Sequence, residues 1–169
     1  MKIQILTTGG TIDKVYFDAK SQYEVGQSVI REIFQESNVT LDYVVRELLH
    51  KDSLDLTDDD RASIRRAVEE SPVDRVVVTH GTDTMIETAR ALQGVRGKVV
   101  VLTGSLSPAR FKNSDAVFNV AAAVAAVQCL PPGVYLAMNG RIFTPDNVRK
   151  NREENRFEEI EAATSRRAR

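Results

Sequence analysis

Blocks of consecutive apolar residues alternate with amphipathic segments along most of the chain. Residues 3–6 predict a short buried strand, and the β-branched runs at 75–79 and 99–102 are typical of strands buried on both faces of a parallel sheet. Residues 134–138 predict another strand of the core. Residues 41–49 fit either a strand or a helix, although they begin with the alternation of a strand.

Two helices are indicated in the first half of the chain. The apolar residues near position 30 recur at intervals of three and four, which is the spacing of one helix face. Thr57, followed by three aspartates, is a favourable N-terminal cap with acidic residues in the first turn. We expect the inner face of this second helix to consist of Ala62, Ile64, Ala67 and Val68.

Two further helices are indicated in the second half. Thr84 and Glu87 have the spacing of a capping box, which predicts a helix that begins at this point. The segment from about Asp115, AVFNVAAAVAAVQ, is apolar on almost all sides and predicts a well-buried helix. The single cysteine, Cys129, stands at its end and is expected to be a small buried residue that forms no disulfide and no metal site.

The alternation of strands and helices predicts a three-layer α/β/α sandwich around a mostly parallel sheet. If the strand order is flavodoxin-like, 2-1-3-4-5, the topological switch lies between the first and third strands. Asn139-Gly140 is typical of a type I′ hairpin turn. We expect one domain over residues 1–150, whereas residues 145–169 contain few apolar positions and indicate a solvated or frayed end, with a charged tail at 151–169.

Composition and charge narrow the classes of function. The net charge of −1 and the pI near 6.2 argue against nucleic acid or an anionic membrane as the main partner. No apolar stretch approaches the roughly 20 residues that span a bilayer, and no signal-peptide pattern opens the chain, so we expect a cytoplasmic protein. The acidic run at 58–60 has no second cluster at ligand spacing, and we predict no metal and no cofactor.

Hydroxyl groups and glycines follow two of the predicted strands. In TTGGTI at 7–12, the Gly-Gly pair allows a tight turn that presents Thr11 to a ligand, although such a pair is also ordinary turn chemistry. In HGTD at 80–83, Thr82 and Asp83 lie in a strand-to-helix turn. The flavodoxin-like strand order places both turns at one crevice. Ser53, just past the second strand, belongs to the same edge.

This set of side chains indicates acyl transfer or amide hydrolysis. An alcohol is a poor nucleophile at neutral pH, so the threonines need a partner such as a tyrosine or a lysine held near a carboxylate. Phosphate-binding motifs of the types G-x-x-x-x-G-K-[ST] and G-x-G-x-x-G are absent. We interpret His50 and His80 as residues at the ends of structural elements, without a catalytic role.

Two motifs together resemble the signatures of the bacterial-type asparaginase and glutaminase amidohydrolases. They are TTGGTI at 7–12 and THGTDTMIETA at 79–89. Four shorter segments extend the resemblance over about residues 1–150: QYEVG at 22–26 (flexible loop), DS at 52–53 (substrate-carboxylate loop), TGS at 103–105 (loop after the fourth strand) and DNVRK at 146–150 (catalytic lysine).

The resemblance implies a role for each matching residue. Thr11 would be the nucleophile that forms an acyl-enzyme, and Tyr23 would assist it. Lys150 would polarise Thr82 and the water that Thr82 helps to position, with Asp83 completing this second group. The order in which the two threonines attack stays open.

The resemblance also implies a set of substrate-binding residues. Asp83 would bind the α-amino group of the substrate and Ser53 its α-carboxylate. Gly10 and Gly81 would line the site, where backbone N–H groups near the two threonines serve as the oxyanion hole. Whether Tyr16 rather than Tyr23 covers the site stays open.

Two departures from the family affect the prediction. Family members continue into a second, smaller α/β domain that completes the neighbouring subunit's site, and we expect this domain to be missing here. Leu54 replaces the polar residue that many members carry after the serine. We therefore predict a single-domain homodimeric hydrolase for asparagine or a related small amide. The alternatives are a non-catalytic domain that binds or senses an amino acid, and a piece of a split or decayed gene.

Overall fold

The computed structural model describes residues 1–17 and 22–160, in which strands and helices alternate. The strands are β1 (Lys2–Gly9), β2 (Lys14–Phe17), β3 (Gln22–Val25), β4 (Asp42–Lys51), β5 (Arg75–Thr79), β6 (Val99–Thr103), β7 (Gly133–Met138), β8 (Arg141–Phe143), β9 (Arg149–Asn151) and β10 (Arg156–Glu158). The helices are α1 (Ile30–Glu36), α2 (Asp58–Glu69), α3 (Met85–Leu92) and α4 (Ala116–Cys129). No helix in this part of the chain has the length and apolar character needed to cross a bilayer.

The central sheet has six strands in the order β4-β1-β5-β6-β7-β8. The first five are parallel to one another, and β8 pairs antiparallel with β7. Counted along the chain, the parallel strands follow the order 2-1-3-4-5, which confirms the predicted fold. The segment that fitted either a strand or a helix is the edge strand β4. The topological switch therefore lies between β1 and β5.

Two apolar cores flank the sheet and complete the three layers. Helices α2 and α3 pack on one face, against Val76 and Val78 of β5, and helices α1 and α4 pack on the other, against Val77. Successive side chains of a strand point to opposite faces, so a strand covered on both sides needs an unbroken apolar run. The β-branched run of β5 meets this requirement.

The predicted N-terminal cap of α2 is confirmed, but one of the four residues predicted for its inner face is exposed. The Thr57 hydroxyl accepts from the backbone N–H of Asp60, while the Asp60 carboxylate accepts from the backbone N–H of Thr57 at 2.9 Å. Ile64, Ala67 and Val68 are buried, but Ala62 is exposed. Ala62 lies about 200° around the helix from Ile64 and so faces solvent.

The capping box predicted for α3 is wrong. Thr84 stands at the N-terminus of α3, but its side chain makes no capping hydrogen bond. The Thr84 hydroxyl instead donates to the backbone carbonyl of Ser53 at 2.7 Å. A tertiary contact thus takes the hydroxyl that the local pattern assigned to the helix end.

The prediction that α4 is buried on almost all sides is also wrong. Its buried residues are Ala116, Asn119, Val120, Ala123 and Val127. Val117 and Phe118 are 49% and 63% exposed, and Cys129 is exposed rather than buried. The helix rests on the sheet by one face only, and no described element covers its outer face.

Two hairpins follow the last parallel strand. Asn139 and Gly140 have φ angles of 53° and 75°, as a type I′ turn requires, and they join β7 to β8 as predicted. Strands β9 and β10 form a second antiparallel hairpin, in which Phe157 is 2% exposed. The expectation of a solvated or frayed segment is therefore wrong for this hairpin. Residues 161–169 lie outside the described residues, and the domain boundary at 150 stays a prediction.

Candidate functional site

The turn after β1 presents Thr11 at the carboxyl edge of the sheet. Gly9 and Gly10 have φ angles of 94° and 91°, in the left-handed region that favours glycine, as the Gly-Gly pair predicted. A short 3-10 helix, Thr11–Asp13, begins directly afterwards. Thr11, which is half-buried, starts this helix just after β1 and therefore lies at the switch point between β1 and β5.

The turns after β1 and β5 are in direct backbone contact. A Cβ atom at Gly10 would overlap the backbone of Gly81, and one at Gly81 would lie 2.6 Å from Cβ and Oγ of Ser53. The Thr8 hydroxyl donates to the carbonyl of Thr79 at 2.9 Å and joins the two strand ends. The segments that carry Thr11, Thr82 and Ser53 therefore meet where no additional side chain fits.

Lys150 links the two residues of the second motif. Its ammonium group donates to Thr82 Oγ1 at 2.8 Å and to Asp83 Oδ1 at 2.9 Å. The Lys150 side chain is 15% exposed, and Thr82 is 4% exposed. Lys150 lies in β9 opposite Phe157 of β10, whose buried ring fixes this hairpin to the core. A distant segment thus delivers a cation to a hydroxyl–carboxylate pair.

A second cation reaches the same carboxylate. Arg152 Nη2 lies 3.4 Å from Asp83 Oδ1, and the arginine side chain is 72% exposed. Arg152 is not among the site residues that the sequence motifs predict. Arg152 directly follows β9, two positions after Lys150, and the period of two in a strand predicts that both side chains point to the same side. That spacing is the signal that would have indicated it.

Ser53 is held beside Asp83 and is almost fully buried. Its Oγ accepts from the backbone N–H of Asp83 at 3.3 Å, and its exposed fraction is 1%. It begins a short 3-10 helix, Ser53–Asp55, whose N-cap Asp52 accepts from the backbone N–H of Leu54 at 3.2 Å. Leu54 itself is 67% exposed.

Asp52 also forms an ion pair that fixes this loop to the hairpin of β2 and β3. Lys14 Nζ lies 2.6 Å from the Asp52 carboxylate. Burial opposes ionisation of Asp52, but the hydrogen bonds from Lys14 and from backbone N–H groups outweigh it and hold the pKa of this carboxyl below its usual value. The carboxylate that orients the Ser53 turn is therefore ionised at neutral pH.

Tyr23 lies in β3 within a group of aromatic rings. Its ring centroid is 5.4 Å from that of Tyr16 and 6.0 Å from that of Phe111, both in edge-to-face geometry. The loop that carries Phe111 is tied to the Thr11 turn, because the backbone N–H of Ala109 donates to the carbonyl of Ile12 at 3.1 Å. All three rings are about half exposed.

The structure thus joins some of the indicated residues and leaves others apart. Direct hydrogen bonds connect Lys150 with Thr82 and Asp83, and Asp83 with Ser53. Within the described residues, no hydrogen bond joins the Tyr23 hydroxyl to Thr11 or to Thr82. Tyr16 and Tyr23 pack on each other, so the geometry leaves the choice between them open.

His80 is a wholly buried neutral side chain behind the second turn. Its Nδ1 lies 2.7 Å from the carbonyl of Gly81, and its Nε2 lies 2.8 Å from the Thr88 hydroxyl. Burial lowers the pKa of His80 to about 4, so the ring is neutral at pH 7, donates from Nδ1 and accepts at Nε2. This geometry agrees with a supporting role at the end of β5.

Asp13 is a buried carboxyl group two residues after Thr11. Burial raises its pKa to about 6, partly offset by the backbone N–H of Val29, which donates to Oδ1 at 3.0 Å. The backbone carbonyl of Asp13 accepts from Gly26 at 2.8 Å. Asp13 therefore connects the Thr11 turn with the base of the hairpin and the start of α1. In residues 1–17 and 22–160, no group of three or more His, Cys, Asp or Glu residues is arranged to hold a metal ion.

Fold and site together define a three-layer α/β protein with hydroxyl, ammonium and carboxylate groups clustered at its topological switch point, a usual place for a small-molecule site. The sequence model of the asparaginase N-terminal region matches residues 2–165. The chain therefore belongs to the asparaginase family.

Named relatives agree with this assignment. The L-asparaginase of Thermococcus kodakarensis is 35% identical over 160 residues, which cover 89% of this chain and 48% of the relative. A glutaminase-asparaginase from Acinetobacter glutaminasificans is 31% identical over 166 residues, or 88% of this chain and 49% of the relative. The chain thus spans about half the length of the curated relatives that it matches.

Solved structures of the family have the same fold. The thermostable L-asparaginase from Thermococcus kodakarensis superposes with a TM-score of 0.81 at 31% identity, covering 95% of this chain and 51% of that one. A probable cytoplasmic L-asparaginase from Campylobacter jejuni gives a TM-score of 0.78 at 28% identity, with coverages of 95% and 53%. The fold described above is therefore that of about half of each of these chains.

Proposed function

We propose that this protein is an amidohydrolase that hydrolyses the side-chain amide of asparagine or a related small amide. The observation that carries the proposal is the Lys150 ammonium group, which donates to both Thr82 and Asp83 beside the Thr11 turn. Membership of the asparaginase family supports it, because relatives of this chain are named L-asparaginase and glutaminase-asparaginase.

In the proposed reaction, Thr11 Oγ attacks the carbonyl carbon of the amide. The Tyr23 hydroxyl relays the proton: it accepts the proton of Thr11 while its own phenolic proton passes to the amide nitrogen. The C–N bond then breaks, ammonia leaves with that proton, and an ester to Thr11 remains. For this step the Tyr23 hydroxyl has to approach Thr11, so the hairpin of β2 and β3 must adjust when substrate binds. The tether between Ala109 and Ile12 keeps the opposing loop in place during this adjustment.

The second half of the proposed reaction uses the Lys150 group. Lys150 polarises Thr82, which positions a water molecule for attack on the ester carbonyl carbon. The water adds its OH to that carbon, its proton passes to Thr11 Oγ as the ester bond breaks, and the acid is released with the Thr11 hydroxyl restored. Backbone N–H groups of the two touching turns stabilise the oxyanion in both steps, a contribution of roughly 3–4 kcal/mol per donor in comparable sites. The close approach of Gly10 and Gly81 supports this role, because it leaves the turn backbones uncovered by side chains.

The same geometry supports a set of proposed substrate contacts. Asp83 faces the end of the substrate that carries its α-substituents, and Ser53 lies beside Asp83, 3.3 Å from its backbone N–H. Gly10 and Gly81 line the reacting end. We propose further that the chain works as a cytoplasmic homodimer. The name of the Campylobacter jejuni relative supports the location, and size-exclusion chromatography with light scattering tests the dimer.

Ammonia release from L-asparagine, L-glutamine, D-asparagine and succinamate, a small monoamide without an α-ammonium group, tests the proposed activity. Wild type and Thr11→Ala are compared, with Thr40→Ala as a matched control because Thr40 is an exposed threonine outside the site. We expect turnover in wild type and in the control, and none above background in Thr11→Ala. A wild-type protein that unfolds cooperatively but releases no ammonia would contradict the proposal and favour a binding or sensing domain.

A further inference from the structure

One carboxylate oxygen of the site receives two cations. Lys150 Nζ lies 2.9 Å and Arg152 Nη2 lies 3.4 Å from Asp83 Oδ1. The Lys150 contact is mostly buried, since 15% of its side chain is exposed, whereas Arg152 is 72% exposed and lies at the surface. The inner cation already balances the charge of Asp83, so Arg152 adds a positive charge at its outer side.

With Arg152 added, Asp83 is a poorer partner for an ammonium group than the resemblance to the family implies. A ligand cation that approaches the carboxylate meets two positive groups within about 4 Å of the same oxygen, and like charges at such distances repel. The neighbouring Lys14–Asp52 pair is internally neutral and leaves this balance unchanged. Leu54, the exposed residue beside Ser53, carries no polar side chain that could bind the ammonium group instead.

The same arrangement suits a free carboxylate. A guanidinium group presents parallel N–H donors that match the two oxygens of a carboxylate. Arg152 can turn from Asp83 toward a ligand without breaking a buried contact, because most of its side chain is in solvent. Asp83 would keep its ion pair with Lys150 throughout.

We propose that Arg152 sets the specificity of the site for a monoamide of a dicarboxylic acid without an α-ammonium group, such as succinamate. The inference rests on the proposed function in one respect, namely that Asp83 meets the end of the substrate remote from the reacting amide. Arg152 binds the free carboxylate of this substrate and repels the ammonium group of asparagine. Arg152 is therefore a specificity residue of the same site.

Binding of the two expected products tests the inference without turnover. Succinate and L-aspartate differ only in the α-ammonium group, so the ratio of their dissociation constants isolates its effect. We expect calorimetric titration of wild type to show succinate binding at least 10-fold more tightly than L-aspartate. In Arg152→Gln, succinate should bind more weakly and the ratio should narrow at least fivefold. Arg156→Gln is the matched control, because Arg156 lies on the same hairpin and pairs with Glu154 and Glu158.

Three results would overturn the inference: L-aspartate binding as tightly as succinate, a ratio that Arg152→Gln leaves unchanged, or no binding of either product to folded wild type. Ammonia release from succinamate and L-asparagine, measured in parallel, separates the two proposals. If Arg152→Gln narrows the ratio of the two dissociation constants but wild type releases no ammonia, hydrolysis is refuted and the role of Arg152 in specificity is supported. If wild type releases ammonia but Arg152→Gln leaves the ratio of the two dissociation constants unchanged, the role of Arg152 in specificity is refuted and the proposed hydrolysis is supported.

Discussion

Lys150 Nζ lies 2.8 Å from Thr82 Oγ1, although Lys150 belongs to the β9–β10 hairpin and Thr82 to the turn after β5, far away in sequence. In the proposed reaction this contact activates the water-positioning hydroxyl. We expect Lys150→Met to lower kcat about 10²- to 10⁴-fold, the usual contribution of a positioned proton-transfer group. Steady-state ammonia release checks the value. Lys2→Met is the control, because Lys2 pairs with Asp42 at the opposite edge of the sheet. Equal activity of the two variants would contradict the role.

The contact between Gly10 and Gly81 predicts that a side chain at Gly10 destabilises the folded protein. Gly10→Ala combines a φ of 91° with overlap of the Gly81 backbone, and we expect it to lower the free energy of unfolding by about 3 kcal/mol or more. Gly97 has a φ of 69° and open space around it, so Gly97→Ala should cost only about 1 kcal/mol. Urea titration of both variants measures the difference. Equal losses would show that the turns do not touch in solution.

Asp13 and His80 have opposite effects on stability between about pH 4 and 6. The folded pKa of Asp13, about 6, exceeds its unfolded value of 3.8, so its contribution to stability falls as the pH rises through this range. The folded pKa of His80, about 4, is below its unfolded value of 6.5, so its contribution rises with pH. Each amounts to roughly 3 kcal/mol, and in the wild type they largely offset each other.

Single substitutions should reveal each of the two trends. Relative to wild type, the unfolding free energy of Asp13→Asn should increase from pH 4 to pH 6, because the unfavourable ionisation is removed. That of His80→Gln should decrease over the same range, since the gain from deprotonation is lost. Urea titrations at pH 4.5, 5.2 and 6.0 give the two slopes. If the difference in unfolding free energy between variant and wild type changes with pH in the same direction for both variants, the assignment is refuted.

The Phe111 ring should hold Tyr23 near the Thr11 turn. The centroids of the two rings are 6.0 Å apart, and an aromatic pair of this kind contributes about 0.5–1.5 kcal/mol. We expect Phe111→Ala to lower kcat/KM for the best amide by up to about 10-fold, and Phe111→Tyr to restore it. Phe118→Ala is the control, because Phe118 is an exposed phenylalanine of α4. A loss of equal size in the control would assign the effect to general destabilisation.

The strands and the turns that carry Thr11 and Thr82 could be predicted because they depend on local patterns. A strand covered on two faces requires an unbroken β-branched run, as in β5, and the Gly-Gly pair requires left-handed backbone angles. The flavodoxin-like strand order, which the prediction took as a condition and the structure confirms, then places Thr11 and Thr82 at the same edge. Sequence patterns were sufficient here because each feature depends on a few neighbouring residues.

The remaining features depend on which distant segment covers a given face. Helix α4 is apolar all round, and only the tertiary arrangement shows that Phe118 stays at the surface. Phe157 stands among charged residues but fills a gap in the core that the segment itself does not predict. The Thr84 hydroxyl donates to the carbonyl of Ser53 because the loop after β4 lies beside the start of α3. Arg152 likewise pairs with Asp83, which lies in a different part of the chain, so its own segment does not indicate a role.

The exposed thiol of Cys129 gives this molecule a defined direction for attachment. Cys129 is the single cysteine of the chain and ends α4, where Arg75 at the start of β5 donates to the carbonyls of Val127 and Leu130. That is the amino edge of the sheet, opposite the edge that carries Thr11. Coupling through this sulfur to a maleimide-coated sensor would immobilise every molecule in one orientation, with its crevice turned toward the flowing solution.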